Sequence, residues 1–348
     1  ANVALAIAKE VNVALPPDEA APLQKKRSVK PEAFDALMQA RPLLHVPTVE
    51  GFETGVKFLE KALSLDSAYA EAYAFLAIFY SQHAIYGTVD ISLAYRNGRI
   101  AASEALRLDS ESAEAYCALG QLYRITDWAW DRALEYSQRA AELDPSDSHF
   151  QSLCGLCLSY QGRLPEAERY AQRAIELDPI NPLAYMSLGT ILLIDRRFDD
   201  IDQLIGESIE KFENHLLLLL VRALASLFRG DGENAVKDAN MMVETSGRNP
   251  IYIATAGTCC AIAGDTEGAE AYLAEIRNHP NPELIQASGK ACLLQCLGRR
   301  DEAFPLFQEA YRKREFGLLW FSRIGYFSLP PFKGDARLSR LIDRIGIR

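Results

Sequence analysis

The stretch AERYAQRAIELDPINPLAYMSLG, Ala167–Gly189, has a close cousin 34 residues upstream, ALEYSQRAAELDPSDSHFQSLCG at Ala133–Gly155. Working outward from this pair, small or apolar residues recur at Ala133, Ala167, Ile201, Ala235, Ala269 and Ala303, each step being 34 residues. Seven residues further on, Ala140, Ala174, Ser208, Met242, Ile276 and Ala310 keep the same step. A third series, Gly120, Gly155, Gly189, Ala223 and Gly257, advances by 35 and then 34. A fixed period of this length marks a stacked array rather than a chain folded about one centre.

The punctuation follows the same ruler. Gly162, Gly230, Gly264 and Gly298 stand where one helix of a unit gives way to the next; glycine takes the positive φ that closes a helix C-terminus. Asn181-Pro182, Asn249-Pro250 and Asn281-Pro282 open units, since asparagine caps a helix and proline at its first position gives up an amide with no partner. Asp144-Pro145 and Asp178-Pro179 end helices, because proline disfavours α conformation in the residue before it. Within a unit, Tyr116, Leu119, Gly120 and Tyr123 follow the i, i+3, i+4, i+7 spacing of one helical face. No strand alternation competes, so the expected fold is all-α.

These residues resemble the tetratricopeptide repeat (TPR) family, whose unit is a helix–turn–helix of 34 residues with an aromatic, Leu-Gly, Tyr, Ala and a closing Pro. AYCALGQLY, AYMSLGTIL and LPEAERYAQRAIELDP carry the likeness, which spans roughly residues 50 to 316. The resemblance implies a right-handed α-solenoid of seven or eight helical pairs. Two units depart from the period. Nine extra residues fall around SQHAIYGTVDISLAYRNG (Ser81–Gly98), which is expected to lengthen the turn between two helices, and DWAWDRA carries one extra residue. Beyond Asn214 the Leu-Gly and Asp-Pro marks fade while the alanine ruler continues.

The expected layout is an N-terminal helix and linker at 1–40, the array at 41–316 and a capping segment at 317–348. The first helix, NVALAIAKEVNVAL, is amphipathic and is expected to pack on the array. The chain begins with Ala1, which suggests a fragment of a longer protein. The PEAF phrase, the enlarged second unit and the closing DARLSRLIDRIG together are similar to the C-terminal TPR region of bacterial multidomain regulators, whose effector is a class III nucleotide cyclase or a winged-helix domain. That likeness implies the regulatory, partner-binding half of such a protein. The aromatic tail FGLLWFSRIGYFSLPPF reads as a cap on the last hydrophobic repeat.

A net charge of −10 disfavours direct contact with nucleic acid or an anionic membrane. The most apolar run, HLLLLLVRALASLF, is interrupted by Arg222 and too short to span a bilayer. Seven scattered cysteines suit a reducing, cytoplasmic setting. Cys154 and Cys157 form a lone CxxC near His149, which reads as core packing rather than metal binding. No nucleophile elbow, phosphate loop or zinc signature occurs, so no catalytic, cofactor or metal site is expected.

In TPR arrays the first helix of each pair lines the concave face. On this register the partner-binding groove comprises Gln121, Arg124, Leu156, Met186, Thr190, Leu193, Leu220, Leu224 and Leu227. Arg124 alone brings positive charge, unlike the Lys, Asn and Arg set of a chaperone-type carboxylate clamp. The apolar middle points to a partner's helix or peptide, to coverage by a tight superhelix or the protein's own end segment, or to self-association. The expected role is thus a non-catalytic interaction and regulatory module. An oligomerisation scaffold is the alternative, and a small-molecule sensor a third.

Overall fold

The computed structural model describes residues 29–346 apart from 47, 207, 209, 210, 281, 283 and 284. The expected N-terminal helix and Asn281 lie outside the described residues. Eighteen α-helices run in sequence with no strand among the described residues. They are α1 (Pro31–Ala40), α2 (Val49–Leu65), α3 (Ala70–Ile85), α4 (Ile91–Leu108), α5 (Ala113–Leu122) and α6 (Trp130–Leu143). Next come α7 (Ser148–Tyr160), α8 (Leu164–Leu177), α9 (Pro182–Ile194), α10 (Phe198–Gly206), α11 (Leu216–Arg229) and α12 (Gly232–Thr245). The last are α13 (Pro250–Ala263), α14 (Thr266–Arg277), α15 (Ala287–Cys296), α16 (Arg300–Arg312), α17 (Phe316–Arg323) and α18 (Ala336–Asp343). From α1/α2 to α15/α16 each odd helix packs against the even one that follows, and from α3 onward successive odd helices touch.

Each boundary has a local cause. Asn181 and Asn249 accept from the amides of Leu183 and Ile251, each at 3.0 Å, ahead of Pro182 and Pro250. Such a cap is worth about 1 kcal/mol. Asp144 and Asp178 leave the helical conformation directly after α6 and α8. Gly162, Gly230, Gly264 and Gly298 turn between helices at φ of 79°, 84°, 88° and 78°. In the α9–α10 turn Arg196 takes that conformation without glycine, at φ 61°.

The ruler is the core. Ala133, Ala167, Ile201, Ala235, Ala269, Ala303 and the series seven residues later are all buried. Small side chains there let the paired helices approach. A Cβ on Gly155 would stand 2.9 Å from the carbonyl oxygen of Ala167 on α8, inside contact distance. Arg222, the interruption in the apolar run, makes a two-pronged ion pair with buried Asp238 of α12, at 2.7 and 2.6 Å. A buried carboxylate needs such a partner, so the arginine belongs to the helix interface.

The two irregular units resolve differently from each other. The nine extra residues do not form a long turn: only Tyr86–Asp90 separate α3 from α4. The helices themselves lengthen to 16 and 18 residues. ISLAYRNGRIAA is helical in pattern, with Asp90 as cap and Ala94, Gly98, Ala101, Ala102 and Ala105 on one buried face. The single extra residue near DWAWDRA is absorbed by a π-helical turn, Tyr123–Asp127, which ends at Trp128 with φ 55°. Such bulges accommodate one added residue without breaking the helix.

The aromatic tail caps the array and also crosses its concave face. Phe327 packs on Phe307 of α16, with ring centroids 5.8 Å apart. Tyr326 is 1% exposed and touches Phe321, Phe332 and, far back in the chain, Phe228 of α11. Arg196 and Gln295 reach the tail carbonyls of Gly325 and Pro331 at 3.4 and 3.1 Å. α18, capped by Asp335, lies against α16, with Arg337 bridging to Asp301 at 2.9 Å.

Candidate functional site

The concave face is closed rather than open. The α3–α4 turn meets the start of α15, where Gln286 Nε2 would lie 3.1 Å from a Cβ on Gly87. The Arg124 guanidinium, on the π turn, sits 5.2 Å from the ring centre of Phe316 at the start of α17. Trp128 packs edge-on against Tyr311 of α16 at 5.7 Å, with Arg314 4.4 Å from its ring centre. The array has therefore wound far enough for its second and third pairs to touch its last, and α17 fills the remaining gap.

Inside is a chamber of about 520 Å³, lined by the inner faces of α3, α5, α7, α9, α11, α13, α15 and α17. Its apolar wall includes Leu153, Leu156, Leu183, Met186, Leu220 and Trp320. Its polar residues include Gln121, Arg124, Ser152, Tyr160 and Ser288. Among the described lining residues none is Asp or Glu, and Arg124 carries the one permanent charge. Burial pushes the Tyr160 phenol up to about 12, an effect opposed by the nearby guanidiniums of Arg124 and Arg323.

Of the residues expected to line a groove, Gln121, Arg124, Leu156, Met186 and Leu220 come together around this chamber. Thr190, Leu193, Leu224 and Leu227 do not. They are at most 3% exposed, and the three leucines belong to the same core as Tyr326, Phe321 and Phe332. The reason is the tail. Tyr326 and its neighbours roof the C-terminal ends of α9, α11, α13 and α15, leaving only the N-terminal halves to face the cavity. Part of the lining escaped the repeat register altogether: Leu183, Leu216, Leu217 and Tyr252 come from helix starts, and Phe316, Trp320 and Phe321 from the tail. The Asn-Pro marks at the starts of α9 and α13 were the available signal for Leu183 and Tyr252.

Cys154 and Cys157 are buried in the core, and burial raises both thiols. Among the described residues no group of three His, Cys, Asp or Glu side chains is arranged to hold a metal. None of the described helices is long and apolar enough to cross a membrane.

No protein-family model matches the chain, and no curated protein matches it. Solved structures do. Yeast Tom70 is similar at 18% identity over 92% of this chain and 69% of its own, with a TM-score of 0.55. The Cut9–Hcn1 hetero-tetramer of the APC/C is similar at 14% identity over 89% of this chain, which spans 55% of that one, with a TM-score of 0.55. At such identities the likeness concerns architecture. With the paired helices and the 34-residue ruler, it establishes the chain as a TPR-type α-solenoid of helix–turn–helix repeats.

Proposed function

We propose that this chain is a non-catalytic interaction and regulatory module, with its inner chamber as the recognition site. The chamber is the observation that carries the reading: an enclosed, mainly apolar cavity of about 520 Å³, within the range of sites that bury a ligand. One helical turn, roughly 5.4 Å long and 10 Å wide, fills about 420 Å³. A docked helix presents anchors over two or more turns. The cavity thus has room for a short apolar segment of a protein partner and none for a long helix. A free small molecule is the second reading, favoured by the closure of the ring over the cavity.

Occupancy acts on the array through the seam between Arg124 and Phe316, where the early and late pairs meet. A ligand that holds this seam changes the curvature the outer faces present to a partner protein, which suits a bacterial signalling or transcription regulator. The Cut9–Hcn1 assembly, a complex of unlike chains on a similar fold, supports a role in protein contacts. The oligomerisation scaffold differs in a simple way: it forms a dimer by light scattering whatever the chamber holds.

The chamber is tested with the neutral dye N-phenyl-1-naphthylamine. Its fluorescence is expected to rise on adding the folded protein and to saturate near one dye per chain. Met186→Trp, which fills the cavity, is expected to reduce dye affinity at least tenfold while α-helical circular dichroism is retained. Undiminished dye binding by the filled variant would place the apolar site elsewhere.

A further inference from the structure

The polar lining of the chamber is buried to an unusual degree. Gln121, Arg124, Ser152, Tyr160 and Ser288 are each at most 4% exposed. Gln121 Oε1, Ser152 Oγ and Ser288 Oγ have no hydrogen-bond partner, and the Tyr160 hydroxyl has only the neighbouring Arg124 guanidinium. Buried polar atoms are ordinarily paired, and each that is not costs stability. Three such atoms around one cavity, beside the Arg124–Tyr160 pair, are the mark of groups kept for a ligand.

The charge balance says which ligand. The chain carries a net charge of −10, yet among the described residues no carboxylate faces the chamber and Arg124 forms no salt bridge. Its guanidinium instead lies near the Tyr160 and Phe316 rings, 5.8 and 5.2 Å from their centres. A buried cation is normally matched by an anion. Leu156, Met186 and Leu220, also on the lining, offer only hydrocarbon and thioether surface.

We propose that the chamber binds a small amphipathic carboxylate, its head on Arg124 and its hydrocarbon body between Leu156, Met186, Leu220 and Trp320. Tyr160 and Ser152 supply hydroxyl donors to the head, and a carboxylate accepts from a guanidinium and from hydroxyls at once. The assignment rests on the chamber being the recognition site and adds to it the chemistry of the occupant. It favours the free small molecule, because the roofed cavity encloses its contents on all sides but the mouth.

Isothermal titration of the full chain with decanoate, 1-decanol and decyltrimethylammonium, each below its aggregation limit, tests the proposal. Decanoate is expected to bind one per chain, at least tenfold tighter than 1-decanol, with decyltrimethylammonium weakest. Arg124→Gln is expected to weaken decanoate by about tenfold to a hundredfold, the value of a charged hydrogen bond, and to leave 1-decanol unchanged. Should Arg124→Gln fail to fold, the double variant Ser152→Ala, Tyr160→Phe is expected to lose decanoate affinity at least fivefold. Equal affinity for decanoate and 1-decanol would overturn the carboxylate assignment and leave the apolar chamber standing. Decanoate binding that survives Met186→Trp would overturn the chamber itself. Binding of an apolar hexapeptide only with its C-terminal carboxylate free, and no binding of decanoate, would transfer the site to a peptide end and refute the small-molecule proposal.

Discussion

Tyr326→Ala is expected to cost about 3–5 kcal/mol, the usual range for emptying a fully buried aromatic site. Tyr326 stands at the crossing of the tail over the concave face. Its ring meets Phe321, Phe332 and Phe327 from the tail and Phe228 from α11, while its hydroxyl reaches Thr258 of α13. Removing it leaves a void in contact with three separate parts of the chain. Because repeat arrays lose structure unit by unit, the effect is expected to be local. Hydrogen–deuterium exchange should accelerate in α17 and in the C-terminal halves of α11 and α13, with α7 and α8 little changed. Tyr326→Phe keeps the packing and loses only the bond to Thr258, so it should cost about 1 kcal/mol. An unaltered exchange pattern in Tyr326→Ala would mean that the roof does not depend on this ring.

Gly155→Val is the second large effect, with an expected loss of about 3 kcal/mol, the upper part of the range for overpacking. The added Cβ would meet backbone, the Ala167 carbonyl oxygen at 2.9 Å and the Ala171 amide nitrogen at 3.4 Å. No side-chain rotation relieves that contact, so α7 and α8 must separate. Since α7 also lines the chamber, dye binding should fall with stability. Gly206→Ala is the matched control. Its Cβ would meet nothing within 4 Å, and alanine in a helix gains up to about 1 kcal/mol over glycine. Chemical denaturation compares the two. Equal losses would show that the repeat glycines are not contact positions.

The architecture was largely legible because it is set by local and nearest-neighbour rules. A residue such as Ala167 repeats every 34 positions because every unit solves the same packing problem. Gly230 and Asn181 mark turns and caps that each helix needs regardless of the rest. The site was only partly legible. Gln121, Arg124, Leu156, Met186 and Leu220 fall where the repeat register puts a concave face. Thr190, Leu193, Leu224 and Leu227 fall on the same stripe but are roofed by a tail more than 90 residues further along the chain. No periodic signal encodes that crossing. It depends on how far the whole array has turned before Phe316 arrives beneath Arg124. The segment that covers this half of the stripe is the aromatic tail.

Arg222 and the enlarged second unit show the same division on a smaller scale. The arginine looked like a blemish in an apolar run until Asp238 appeared opposite it, 16 residues on. The nine added residues around Ser81–Gly98 were expected in a turn, yet they continue two helices, because a helical pattern with its own cap is more stable as helix than as loop.

Closure of the ring is what forms the chamber, and one cross-linking measurement tests it directly. Gly87→Cys with Gln286→Cys places thiols on the two sides of the seam, where the native Gln286 side chain approaches Gly87 within 3.1 Å of a Cβ position. The native cysteines compete poorly, since burial raises the thiols of Cys117, Cys154, Cys157, Cys259, Cys260, Cys292 and Cys296. Treated with a short bis-maleimide in native buffer, the double variant is expected to form an intramolecular 87–286 cross-link within minutes, found by peptide mass spectrometry. A folded protein in which 87 and 286 are each modified singly and never joined would mean an open superhelix, and would contradict the chamber.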